Sequence, residues 1–286
     1  MTQSFTIGLA GAGNVAQALG RCIEERGQRV SAVASRSHAR AREAARFIGG
    51  DARPVTYEQL ASDRVIIAVP DHAIVEVARH LKPVSIVLHT SGAFSGMILR
   101  EQVGTAASYG SLHPLQTFPT PSDGYRTLPG CAFAVDGEPD ARAWAIEIAT
   151  LMEGLVLEIP SSARALYHAA AAMASNHLTA TMDAAIETMV QVGIDATTAR
   201  RALANLSRAA LENTLRDGAT AALTGPVVRG DAETVARHVE ALWNSPATIQ
   251  GLYRAAAGHA LEIARRRGLP PEAVDAVRSS IGHAHG

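Results

Sequence analysis

The chain has 286 residues, 47% hydrophobic and 19% charged, with a formal net charge of -1. That length accommodates one large domain or two ordinary ones, and two are expected. A charge this close to neutral excludes a long-range field for nucleic acid or anionic lipid.

The opening MTQSFTIGLAGAG moves straight into a strand pattern without a basic leader region. No later segment has the apolar length of a membrane span, so a cytoplasmic protein is expected. Up to about residue 160 the chain alternates apolar runs with helical patterns: FTIGLA, RVSAVAS, RVIIAVP, SIVLHTS, AASYGSLH, CAFAVDG and LVLEIP. Continuous apolar runs separated by helices predict a doubly wound (Rossmann) α/β domain, its mostly parallel sheet covered on both faces.

Between the first run and its helix stand Gly11-Ala12-Gly13-Asn14-Val15-Ala16. The first glycine permits a tight turn, the second lets backbone approach a pyrophosphate, and Ala16 keeps helix and strand close. The alternative is a glycine turn without a ligand. About 20 residues beyond the glycines, an NAD site carries an acid for the ribose 2′-hydroxyl. Here Ser35-Arg36-Ser37 follows the second run and no acid appears before Glu43. An arginine fork between two hydroxyls suits a 2′-phosphate, which predicts NADP(H) as the cofactor. The rival reading is a solvated arginine, since all but Lys82 of the 26 basic residues are arginines.

Val69-Pro70 ends the third run and Ser91-Gly92 follows the fourth. The carboxyl ends of strands line the ligand crevice of an open α/β sheet, so these residues are expected beside the cofactor. Asp71 and His72 either join them or cap the next helix. The stretch GSLHPLQTF places His113, Pro114 and Gln116 at another strand end, with Pro114 expected to terminate the ladder. His113 and Gln116 are candidates for a substrate carbonyl or carboxylate, and a satisfied core histidine is the equal alternative for His113.

From residue 161 to 286 the β signal disappears, and alanine-, leucine- and arginine-rich segments predict an all-α domain. Asp195, Asp231 and Ser245 are expected N-caps, with Gly193, Gly218 and Gly268 near helix ends. Small residues and unmatched apolar faces suggest a homodimer with interleaved helices, making this a dimerisation and substrate domain. Cys22 and Cys131 read as small core residues. The eleven histidines lack metal-ligand spacing, so no metal is expected, and His283 and His285 read as a tail.

The stretches GAGNVAQAL, SRS, VPD, LHTSGA, GSLHPLQTF, YHAAAAMASNHLTA and LTGPVVRGDAETV resemble NADP-dependent reductases that join a Rossmann domain to a helical domain. These include pyrroline-5-carboxylate reductases, deazaflavin-dependent NADP oxidoreductases, ketopantoate reductases and β-hydroxyacid dehydrogenases. The chain looks most like a branch whose C-terminal helical domain has no known function. The resemblance implies an oxidoreductase, in the reductase direction, for a small carbonyl or imine compound bearing a carboxylate. Thr224, Gly225, Pro226 and Arg229 resemble in placement the loop that holds the substrate carboxylate in pyrroline-5-carboxylate reductases; an ordinary turn capped by Asp231 is the alternative. Asn176 matches the asparagine of the β-hydroxyacid dehydrogenases, whereas Ala172 stands where they carry a lysine. Stepping back along that i, i+4 ridge reaches His168, so His168, His113 and Tyr167 are the candidate proton donors. The missing lysine motivates a rival function, a catalytically silent NADP(H)-binding sensor or structural dimer.

Overall fold

The computed structural model describes residues 5–282, so His283 and His285 lie outside the described residues. The chain divides into two compact units, 1–175 and 176–286.

The first unit contains the strands β1 (Thr6–Ala10), β2 (Arg29–Ala34), β3 (Arg53–Val55), β4 (Arg64–Ile67), β5 (Ile86–His89), β6 (Ser108–Leu115), β7 (Ala132–Gly137) and β8 (Leu155–Glu158). Its helices are α1 (Asn14–Glu25), α2 (His38–Ile48), α3 (Ile74–His80), α4 (Met97–Val103), α5 (Pro121–Thr127), α6 (Pro139–Leu151) and α7 (Arg164–Ala172). The sheet order is β3-β2-β1-β4-β5-β6-β7-β8. All neighbours are parallel except β6 and β7. This is the expected doubly wound, mostly parallel sheet, with one strand more than the seven apolar runs. The additional β3 reads RPV, too short for a periodic signal, and as an edge strand it tolerates Pro54.

Side chains of period two divide between the sheet faces. Ile7, Leu9, Ile66, Leu88, Leu112 and Val135 pack with Leu19, Cys22, Ile23 and Trp144 on the face covered by α1 and α6. Ala10, Val65, Ile67, Val87 and Tyr109 pack with Ile74, Val77 and Leu99 on the face covered by α3 and α4. Cys22 is fully buried and Cys131 partly so, and burial pushes both thiols up to about 11, which keeps them protonated.

The division between units falls beyond the expected handover near Ser161, because Arg164 at the start of α7 is buried against β6 and β7. The helix read as continuous to Gly193 passes through a π-turn, Met173–His177, which interrupts the i, i+4 spacing of the His168–Ala172–Asn176 ridge.

The second unit is helical: α8 (Leu178–Gln191), α9 (Ala196–Asp217), α10 (Ala219–Ala222), α11 (Pro226–Arg229), α12 (Ala232–Ala241), α13 (Ala247–Arg266) and α14 (Pro271–Gly282). Val227, Val235, Ala257, Leu261, Val274 and Val277 form its core. Asp195 accepts from the amides of Thr197 and Thr198, and Asp231 from that of Thr234, as capping predicts. Ser245 does not cap. Its hydroxyl donates to Gln191 at 2.7 Å instead, and α13 begins after an extended Pro246.

Candidate active site

The turn after β1 is built by Gly11, whose φ of 134° is open to glycine. A Cβ there would lie 2.1 Å from the carbonyl oxygen of Ala68, whereas one on Gly13 would meet nothing within 4 Å. The first glycine therefore fits the strand crossing, and the second leaves open space at the head of α1 for an anion on free N–H groups. Gly11, Gly13, Ser35, Arg36, Ser37, Val69 and Pro70 line one cavity of about 630 Å³. Asn14, Val15 and Ala16 form the first turn of α1. The Asn14 amide is committed to the carbonyls of Phe118 and Pro119, at 2.9 and 3.0 Å, so it braces the loop after β6.

At the tip of β2 the Ser37 hydroxyl accepts from the Arg40 amide and caps α2, and the Ser35 hydroxyl accepts from the Ser37 amide. The serines thus shape the turn, and the exposed Arg36 offers its guanidinium to the cavity. Arg40 lines the same cavity and was missed in the sequence reading. Its signal was the spacing from Arg36, four positions onward. Tyr57, Glu58, Glu76 and His80 also border it, from segments that carry no local motif. His72 lines the cavity too, and the turn Asp71–Ala73 has no side-chain cap, so neither residue caps α3.

At the level of the carboxyl end of β5 a second, polar cluster crosses β6 and β7. His89 pairs in register with Ser111, and Ser111 with Asp136, so the three stand in one row across the sheet. Because Val87 and Tyr109 belong to the α3/α4 face, His89, Ser111 and His113 continue on that face by period two. Arg164 closes over the row and is 1% exposed. Its Nε donates to Asp136 at 3.2 Å, and its Nη2 donates to the Ser111 hydroxyl. Asp136 also accepts from Ser111 at 2.6 Å and from the Gly96 amide at 2.9 Å. Burial pushes the Asp136 carboxyl up, but these hydrogen bonds and Arg164 outweigh it and hold the carboxyl below its ordinary range. Burial also lowers His89, whose Nδ1 accepts from the Ser91 amide at 3.2 Å.

Pro114 does not end the ladder. Pairing with β5 stops at Ser111, and pairing with β7 continues through Leu115, so β6 overhangs β5 and Pro114 sits where only one neighbour remains. The overhang carries His113. Its Nδ1 lies 2.8 Å from the Tyr167 hydroxyl, and its ring meets that of His168 edge to face with centroids 5.9 Å apart. Both histidines converge on Gly92: a Cβ there would lie 2.6 Å from His168 Nδ1 and 2.8 Å from His113 Nε2. Burial, then the neighbouring His168, Arg164 and His89, push His113 down to about 4.

His113, His168, Tyr167, Ser91 and Gly92 are thus brought together. Ser91 accepts from the amides of Ala93 and Phe94 and fixes the turn that seats the buried Gly92 against the two rings. Gln116 turns away: its oxygen accepts from the Thr117 amide and its nitrogen donates to Thr127 O. Asn176 belongs to the second unit, as do Thr224, Gly225, Pro226 and Arg229. Pro226–Arg229 is a single helical turn, and the Asp231 carboxylate already takes the Thr234 amide in the first turn of α12. Among the described residues, no group of three or more His, Cys, Asp or Glu is placed to hold a metal, and no helix is long and apolar enough to cross a membrane.

Residues 6–90 match a family model described as NADP oxidoreductase, coenzyme F420-dependent, and residues 131–260 match a domain of unknown function (DUF2520). The chain is thus similar to an NADP oxidoreductase over residues 6–90 and to a domain of open role over residues 131–260. No curated protein matches it. Among solved structures, protein TM1727 from Thermotoga maritima is similar at 24% identity, covering 91% of this chain and 98% of that one, with a TM-score of 0.73. A 1-pyrroline-5-carboxylate reductase from Streptococcus pyogenes is 16% identical over 90% of this chain and 98% of its own, TM-score 0.63. A reductive aminase from Aspergillus terreus, in complex with NADPH and ethyl-5-oxohexanoate, is 17% identical over 98% and 93%, TM-score 0.60. At these identities the likeness shows a shared Rossmann-type fold.

Proposed function

We propose that the protein is an NADP(H)-dependent reductase of a small carbonyl or imine compound bearing a carboxylate. The observation that carries this reading is the cavity in which the glycine turn of β1 and the Ser-Arg-Ser tip of β2 share one wall. A pyrophosphate fits the open space above Gly13 at the head of α1. A 2′-phosphate fits Arg36 and Arg40, with no acid at the tip of β2 to repel it.

When bound, the nicotinamide cofactor supplies a hydride. The chain's own residues position the partner and handle the proton. Gly92 lets His113 and His168 close over the end of β5, and the Arg164–Asp136 pair fixes the helix that carries Tyr167 and His168. Among Thr224, Gly225, Pro226 and Arg229, Arg229 is the charged group for a substrate carboxylate. Gln116 and Asn176 complete the proposed set.

A cytoplasmic homodimer belongs to the same proposal. Across the 22 residues of α9 only Ala199 is buried, and Leu206, Leu211 and Leu215 are exposed, which leaves apolar surface for a second copy.

NADPH oxidation assayed against a panel of keto acids and cyclic imines tests this function. Turnover of a carboxylate-bearing member is expected and would dismiss the silent sensor, which Ala172 in place of a lysine favours. Binding of NADPH with no member reduced would favour the sensor. Arg36→Ala is expected to weaken NADPH by roughly 10- to 100-fold, the worth of one hydrogen bond to a charged group. NADH binding should barely change. Equal losses for both nucleotides would show that Arg36 does not read the phosphate.

A further inference from the structure

The half-buried His113 is enclosed by groups that oppose a positive charge. His89 faces it from the neighbouring strand β5, Arg164, Tyr167 and His168 face it from α7, and Asp136 is already neutralised by Arg164. A ring in this setting holds a single proton at neutral pH, so it is no imidazolium donor. A neutral imidazole gives up its remaining proton only if the other nitrogen is protonated in the same event. One group touches that other nitrogen, the Tyr167 hydroxyl at 2.8 Å from Nδ1. His113 Nε2 lies beside Gly92, in the turn that follows β5, and the carboxyl ends of strands are where ligands bind an open α/β sheet.

We propose that His113 and Tyr167 form a proton relay: His113 Nε2 gives its proton to the substrate heteroatom as Nδ1 takes the proton of the Tyr167 hydroxyl. This rests on the reductase reading above. As hydride from the reduced nicotinamide forms a new bond to the substrate carbon, the C=O or C=N π bond breaks and its electron pair moves to oxygen or nitrogen. That atom takes the Nε2 proton, the phenolic O–H bond breaks, an Nδ1–H bond forms, and Tyr167 is left as a phenolate. A solvent proton restores the hydroxyl, and reversal of the ring tautomer resets the pair. The guanidinium carbon of Arg164 lies 6.0 Å from the centre of the Tyr167 ring. Burial holds the phenol above its ordinary range and Arg164 offsets part of that rise, so the phenolate is short-lived and is reprotonated by solvent. His113 is the catalytic residue here, and Tyr167 acts through it.

Histidine side-chain ¹⁵N NMR on the purified full chain, with NADPH added as the probe, tests the pair without any substrate. The expected spectrum has His113 neutral and protonated on Nε2 from pH 5.5 to 8, with that preference weakened in Tyr167→Phe. An imidazolium near neutral pH, or a ring protonated on Nδ1, would overturn the relay. On any compound reduced in the panel, Tyr167→Phe is expected to lower kcat by about 100-fold, the usual worth of a positioned acid. The NADPH Kd should stay unchanged, and the variant's rate should respond to pH differently from the parent's. A Tyr167→Phe enzyme with the parent's kcat would overturn the proposal. Absence of NADPH binding in the same samples would mark failure of the reductase reading instead, since the ring state is read independently.

Discussion

Arg164→Met is expected to destabilise the folded protein by about 3–5 kcal/mol, the cost of leaving a buried partner charge uncompensated. Arg164 and Asp136 are both buried, and their side chains meet across β7 and the start of α7. Methionine matches much of the arginine's bulk but donates nothing, so Asp136 would keep only Ser111 and the Gly96 amide. Urea denaturation at pH 7 reads the effect as a shift in midpoint. The double replacement Arg164→Met with Asp136→Asn should be milder than Arg164→Met alone, because a neutral amide needs no counter-charge. The pH dependence has a definite sign. Asp136 is held below its ordinary range in the folded chain, so its contribution is present above the unfolded carboxylate's pKa and is lost as pH falls through the folded one. The gap between parent and Arg164→Met should therefore narrow toward acid. A loss under about 1 kcal/mol, typical of exposed pairs, would show that α7 is not anchored by this pair.

The two glycines of the β1–α1 turn should fail in different ways. Gly11→Ala puts a Cβ 2.1 Å from the Ala68 carbonyl at a φ of 134°, so the strain is unavoidable. Strain of this kind costs about 1–3 kcal/mol, and relief by moving the turn would weaken NADPH by roughly 10- to 100-fold. Gly13→Ala meets no protein atom within 4 Å. It should leave the midpoint of unfolding almost unchanged while still blocking the pyrophosphate's approach. Thermal unfolding with and without NADPH separates stability from affinity for both variants. If Gly13→Ala bound NADPH as the parent does, the space above Gly13 would not be the pyrophosphate seat.

The cofactor half was the more legible part of the sequence because its signals are local. A strand, a glycine turn and a helix start follow one another along the chain, and Ser35-Arg36-Ser37 directly follows the end of β2. The polar row of His89, Ser111 and Asp136 was not legible in the same way. Each sits in an apolar run that reads as core, and they meet only through the register of β5, β6 and β7. Arg164 carries no sequence signal that sets it apart from the other arginines of the chain. Only tertiary packing makes it the most deeply buried charge of the first unit. His113 illustrates the second case: burial, then His168, Arg164 and His89, lower its pKa, and these come together only in the fold. Ser245 failed for the same reason, since a partner elsewhere in the fold, Gln191, outcompeted the local assignment.

Calorimetric titration of the purified chain with NADPH and, separately, NADH bears most directly on the whole account. Arg36 and Arg40 beside the glycine turn predict that NADPH binds and that NADH binds at least about tenfold more weakly. Heat from neither nucleotide, or NADH binding as tightly as NADPH, would contradict it.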